Sequence, residues 1–327
     1  MQVKLRCGHG YRPVDVPETT EATLIHKPQM PVLTDLHEAF LNAFQDPIQA
    51  QTLHAAAQQA QSACIAICDI TRPVPNGLFL RLLIETLLTA GIAASNITVL
   101  IATGLHRPNL GQELLEVVGD SWVLDNVRVE NHNARDDAQH VYIGTTKRGT
   151  VVRLNQHFVN ADLRIVTGLV SPHFMAGYSG GRKVVAPGLA HAETITTLHN
   201  GQFMADPGAA NCRLSDNPLH HEQLEVIAML GRVLALNIVV DTSRHLSFVN
   251  FGEVVSSHLQ AVDVARQYYE VSAPRRFSTI LTSAGGYPLD QTYYQTIKGI
   301  VGAIDILEPG GDLLIVSACS DGLGSPA

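Results

Sequence analysis

Three short apolar runs in this sequence end in clusters of side chains able to do chemistry. The run ACIAICDI (63–70) leads into DITRP, residues 69–73. Pro73 biases Arg72 away from helix, so its guanidinium projects from a loop and suits a carboxylate or phosphate, unless it simply pairs with Asp69. The run NITVLIA (96–102) leads into TGLHRP, residues 103–108, where Gly104 permits a tight turn and His106 opens onto the strand end. An imidazole there is either structural or an acid/base group that titrates near neutral pH. The run LRIVTGLV (163–170) leads into SPHFMAGYSGGRKVVAPG, residues 171–188. In it four glycines, a serine, Arg182 and Lys183 follow His173 within fifteen residues. Glycine-rich backbone beside cationic side chains is how a phosphate is cradled. The segment is neither a Walker loop, which ends in GK[ST], nor the G-x-G-x-x-G dinucleotide fingerprint.

Further along, His191 and His199 lie eight residues apart, so in one helix they share a face, and imidazoles there suit a transition metal. HExxH and CxxC are absent. Cys64 and Cys68 point the same way from a strand and read as small buried hydrophobes. His220 and His221 read as part of a helix start, capped by Asp216 or Asn217 with Pro218 in the first turn. A fourth cluster, DQTYYQTIK at residues 290–298, places Gln295 and Lys298 three apart, hence as neighbours on one helical face, which is either solvated or offered to a polar anion.

The elements that must carry these clusters alternate. Strands are expected at 63–70, 96–102, 163–170, 236–241, 278–283 and 312–317, and helices at 78–90, 109–118, 217–232, 253–271 and 290–304. Strand, loop and helix in repetition predict an α/β protein with a largely parallel sheet, whose ligands bind at the carboxyl ends of the strands. The chain has 327 residues, 46% hydrophobic and 16% charged, enough to bury a large core. A net charge of -8 argues against a nucleic-acid partner. Five cysteines point to a reducing compartment. The N-terminus lacks a secretory signal and no apolar run spans a membrane, so a cytoplasmic location is expected.

The polar, proline-containing stretch at 271–276 predicts a boundary, with an N-terminal domain over 1–272 and a second domain over 273–327. About fifty residues are too few for an independent α/β domain, and the last segment, CSDGLGSPA, is loop-like. The second domain is therefore expected to be incomplete.

DITRP, TGLHRP, SPHFMAGYSGGRK, LHN at 198–200 and QTIK at 295–298, in this order, resemble the catalytic subunit of the nickel-dependent lactate racemase family. The 173–183 segment is the most specific of them, and the likeness runs from the first strand to the last residue. It implies a parallel-sheet-based N-terminal α/β domain followed by part of a second α/β domain, with the active site at their interface. Relative to the family, roughly the last hundred residues are expected to be absent.

The resemblance implies a covalently bound nickel pincer nucleotide, a pyridinium-3-thioamide-5-thiocarboxylic acid mononucleotide carrying nickel. Lys183 would bond to it, His199 would complete the nickel coordination, and Asp69, Ser179, Gly180 and Gly181 would contact it. His106 and His173 would be the acid/base pair, while Arg72, Gln295 and Lys298 would hold the substrate. The implied activity is racemisation or epimerisation of a lactate-like 2-hydroxy acid by reversible hydride transfer to that cofactor. Cofactor-synthesis proteins are the implied partners. From other classes, a cofactor- or nickel-binding protein without turnover and a nicotinamide-dependent dehydrogenase are the alternatives.

Overall fold

The computed structural model describes residues 1–324; the last three residues of the loop-like CSDGLGSPA segment lie outside the described residues. The chain forms two compact units. The larger comprises Gln29–Ile70 and Val74–Gln267. The smaller comprises Met1–Pro28, Thr71–Pro73 and the residues from Tyr268 onward.

A six-stranded sheet organises the larger unit, in the order Leu246–Glu253, Leu234–Val240, Leu163–Leu169, Ala63–Cys68, Ile97–Ala102, Arg128–Asn131. All pairings are parallel except that of Leu246–Glu253, which runs antiparallel at one edge. Chain order reverses between Ala63–Cys68 and Leu163–Leu169, giving the doubly wound arrangement with its crevice at the strands' carboxyl ends. The strand Ala63–Cys68 is buried on both faces, as a near-continuous apolar run in a parallel sheet requires.

Side-chain alternation splits the core into two layers. Ile65, Ile67, Ile97, Val99 and Ile165 pack on one face with Phe40, Phe79, Leu83 and Leu87. Cys64, Ala66, Leu100 and Val166 pack on the other with Phe158, Val184, Leu189 and Val226. Cys64 is fully buried, and burial pushes its thiol pKa up, so it acts as the small hydrophobe its position suggested. The strand Leu246–Glu253 does not end the sheet with a bare backbone, because Ile48 N donates to Phe251 O and Glu253 N donates to Ile48 O.

The expected strands and helices are all present, with ends moved by a few residues. Arg128–Asn131 and Leu246–Glu253, which complete the sheet, are additions, as are the helices Leu36–Gln45 and Leu53–Gln58. In the smaller unit an antiparallel hairpin, Gln2–Cys7 with Gly10–Asp15, accompanies a parallel pair, Phe277–Ser283 with Leu307–Val316, and the helix Tyr293–Ile304. Among the described residues no helix is long and apolar enough to cross a membrane.

Candidate functional site

Adjacent strands of the larger unit place the first two clusters side by side. Cys68 and Ala102 are register partners in neighbouring parallel strands, so the loops that follow leave the sheet together. Asp69, 5% exposed, meets His106 there: His106 Nδ1 lies 2.6 Å from Asp69 Oδ2. Asn109, almost fully buried, ties the two loops together. Its Oδ1 accepts from Ile70 N at 3.3 Å, its Nδ2 donates to Glu113, and its own N–H donates to Asn131 Oδ1 at 2.8 Å. The turn that delivers His106 is closed by His106 N to Thr103 O, while Gly104, at φ +56°, donates to Gly188 O. Asp69, expected against the cofactor, is thus the partner of His106, and Asn109 is a site-building residue that the sequence reading missed.

The third cluster follows the strand Leu163–Leu169. His173 is buried, and its Nδ1 accepts the backbone N–H groups of Met175 and Ala176, both at 3.2 Å. Ser179 closes the loop: its hydroxyl donates to Leu169 O at 2.7 Å and accepts from Ser171 N at 3.1 Å. That hydroxyl thus ties together the two ends of the loop. Gly180 and Gly181 sit at φ +82° and +48°. A Cβ on Gly180 would stand 2.8 Å from Val170 Cγ2.

Arg182, 1% exposed, secures the same loop from beneath, donating to Ala176 O at 2.8 Å and to Tyr178 O at 3.3 Å, with His258 Nε2 at 3.1 Å. Burial pulls its guanidinium pKa down to about 9. Burial and the nearby Arg182 charge hold His258 well below the ordinary histidine value. Asn217 caps the helix Pro218–Leu230 through Leu219 N and His220 N, and its Nδ2 reaches Met175 O at 2.7 Å. Of the two residues expected to cap this helix, Asn217 is the one that does so, and it doubles as a brace for the His173 loop.

His191 and His199 bracket the helix Ala192–Leu198 as its N-cap and C-cap residues and do not act together. His191 turns to Asp137, Nε2 to Oδ1 3.1 Å, and packs edge-on against His140, which in turn packs against His132. His199 closes the other end of that helix. Its Nδ1 donates to Ile195 O at 3.1 Å. Burial first, then the charge of Lys183 and, more weakly, of His106, lower its pKa to about 4. His106, Lys183 and His199 are therefore within electrostatic reach of one another.

An imidazole held neutral, with its Nδ1 proton on a carbonyl, presents Nε2 as a metal donor. Among the described residues no group of three or more His, Cys, Asp and Glu side chains could hold a metal ion.

The other expected residues belong to the smaller unit. Arg72 lies in the short segment Thr71–Pro73. Gln295 and Lys298 share one face of the helix Tyr293–Ile304, with the Lys298 ammonium donating to Gln295 Oε1. Gln295 is buried, which accounts for a polar pair rather than a solvated face.

Comparison with known proteins adds an independent line. The family model described as the lactate racemase N-terminal domain matches residues 7–211, and that of the lactate racemase C-terminal domain matches residues 274–327. The chain is 33% identical over 282 residues to the lactate racemase of Thermoanaerobacterium thermosaccharolyticum, covering 86% of this chain and 66% of that protein. It is 32% identical over 287 residues to the lactate racemase of Lactiplantibacillus plantarum, covering 88% and 67%. The chain thus spans about two thirds of the length of the curated relatives it matches. The structure of the lactate racemase apoprotein from T. thermosaccharolyticum superposes with a TM-score of 0.88 at 30% identity, over 99% of this chain and 76% of that one. A Thermotoga maritima protein, 19% identical with a TM-score of 0.61 over 76% of this chain and 66% of its own, shares the fold.

Proposed function

Because the chain belongs to the lactate racemase family, we propose that it inverts the configuration of a 2-hydroxy acid of the lactate type. The observation that carries this reading is the Asp69–His106 contact at the carboxyl ends of two neighbouring parallel strands, with the charges of Lys183 and His106 both acting on the buried His199 ring. The donor set fits a nickel pincer nucleotide: one neutral imidazole at His199, a lysine whose charge acts on it, and, among the described residues, no protein cluster competing for the metal. Lys183 would hold the group covalently and His199 would ligate its nickel. When bound, the group supplies a reversible hydride acceptor, which spares the enzyme a carbanion next to a carboxylate.

The chain's own residues then have proton work to do. The hydroxyl proton must leave as the carbinol carbon is oxidised, and return when the opposite face is reduced. His106 and His173 are the pair for this, and positioned acid/base groups of this kind contribute about 10²–10⁴-fold. The Arg72 guanidinium and the Gln295–Lys298 pair suit the substrate carboxylate, as a planar fork and a point charge respectively. The reducing compartment implied by the cysteines is in keeping with a cytoplasmic enzyme supplied with its cofactor by dedicated synthesis proteins.

The test is inversion of enantiopure 2-hydroxy acids, read by chiral chromatography, with protein produced alongside the cofactor-synthesis proteins. Loss of optical purity in at least one substrate is the expected result. Stoichiometric cofactor with unchanged enantiomers and no isotope exchange at Cα would instead make this a carrier without turnover.

A further inference from the structure

The two histidines that share the proton work are held by opposite chemistry. Asp69 Oδ2, a buried carboxylate oxygen, can only accept, so at 2.6 Å it takes the Nδ1 proton of His106 and leaves a lone pair on Nε2. His173 is the reverse. Its Nδ1 faces two backbone N–H groups, of Met175 and Ala176, both at 3.2 Å. A ring nitrogen that accepts from two donors carries no proton, so the His173 proton sits on Nε2. The Met175–Ala176 turn is held in place by independent bonds: Ala176 O accepts from buried Arg182, and Met175 O accepts from Asn217. His173 therefore cannot move its proton to Nδ1 without displacing amides that the surrounding fold keeps aimed at it.

We infer that His106 and His173 rest in opposite tautomers, so that His106 is the proton acceptor of the resting enzyme and Asp69 its positioning residue, while His173 rests as a donor. The inference rests on the racemase reading of the two histidines. In the direction started by His106, the substrate O–H bond breaks and an Nε2–H bond forms, and the resulting imidazolium is balanced by the Asp69 carboxylate. The Nε2 proton of His173 passes to the oxygen of the product, and the proton gained by His106 makes good that loss as both rings reset. The mirror-image substrate crosses the same states in reverse order.

Two enantiomers in water have an equilibrium constant of one, so kcat/KM is the same for both directions, and any disturbance of the proton arrangement must lower both by the same factor.

The direct test is ring nitrogen NMR on protein labelled with 15N-histidine, with and without its cofactor. Signals are assigned by their loss in His106→Gln and His173→Gln. The expected result is a protonated Nδ1 at His106 and a protonated Nε2 at His173, in the protein without cofactor. Asp69→Ala is expected to move His106 toward the Nε2–H tautomer and leave the His173 signal in place. In the loaded enzyme it should lower kcat/KM in both directions by roughly 10²-fold or more, as loss of a tautomer-setting carboxylate does elsewhere. The same tautomer at both histidines, or an unmoved His106 signal in Asp69→Ala, overturns the inference even if the enzyme racemises lactate. Opposite tautomers in a protein that inverts no hydroxy acid would leave the proton arrangement standing and sink the racemase reading instead.

Discussion

Gly181 leaves open the space into which the ring of His258 fits: a Cβ on Gly181 would lie 2.9 Å from both Cβ and Cγ of His258. The helix Val254–Tyr269 can therefore lean directly on the loop that carries Lys183. Gly181 also has φ +48°, a left-handed conformation that other residues adopt at a cost. Gly181→Ala is expected to destabilise the larger unit by about 2–4 kcal/mol, combining overpacking and backbone strain. A lowered urea midpoint with unchanged slope is the readout. A midpoint equal to the parent's would mean that the helix yields.

Attachment and coordination should separate by mutation. Lys183→Ala is expected to abolish the covalent mass increment of protein made with the cofactor-synthesis proteins. His199→Ala should keep the increment and lose most of the nickel, measured by intact mass and metal analysis. Retention of the adduct without Lys183 would refute its assignment.

Removing the buried clamp at Asn109 should cost both stability and rate. In Asn109→Ala the Ile70 N–H and the Glu113 carboxylate lose partners, an expected loss of about 1–3 kcal/mol. The DITRP and TGLHRP loops then lose their common anchor, and kcat should fall at least tenfold, since small misplacements of positioned groups are costly. Full activity in this variant would show that the Asp69–His106 contact alone holds the two loops.

Acid should unfold the larger unit early. Burial lowers the His132 pKa to about 4, helped by the neighbouring His140 and His191. His220 is lowered to about 3, chiefly by burial and then by Arg182. In the unfolded chain these imidazoles take up protons near pH 6.5, which the folded state refuses until much lower pH. Stability is therefore fully present above the unfolded pKa and falls as pH drops toward the folded one. His132 alone accounts for about 3 kcal/mol across that window. Urea midpoints should decline steadily from neutral pH to about pH 4.5. A flat profile would mean that the three-histidine stack admits protons without opening.

Buried strands announced themselves in the sequence. ACIAIC, NITVLIA and LRIVTGL are continuous apolar runs because both faces of the central sheet are covered, and so the architecture was readable. Arg128–Asn131, RVEN, was not: four residues with two charges carry no periodicity, and only pairing with Ile97–Ala102 makes them a strand. The hairpin Gln2–Cys7 with Gly10–Asp15 escaped for a similar reason, being largely exposed and containing Pro13.

At the site, the clusters were legible one by one but their partnerships were not. Asp69 and His106 are 37 positions apart, and nothing local says that the register of two strands makes them meet. The Ser179 hydroxyl bonds backbone eight and ten residues earlier, a fact about loop closure that composition does not encode.

The backbone bond pair from Ile48 to the antiparallel strand Leu246–Glu253 has a consequence for how copies of this protein meet. A sheet border with free amides and carbonyls templates the next chain, and crowded copies then polymerise edge to edge. Here the chain itself bridges one border at Gly252, and the opposite one, Arg128–Asn131, is four residues long and carries Arg128 and Glu130. Both features discourage a foreign strand from pairing there.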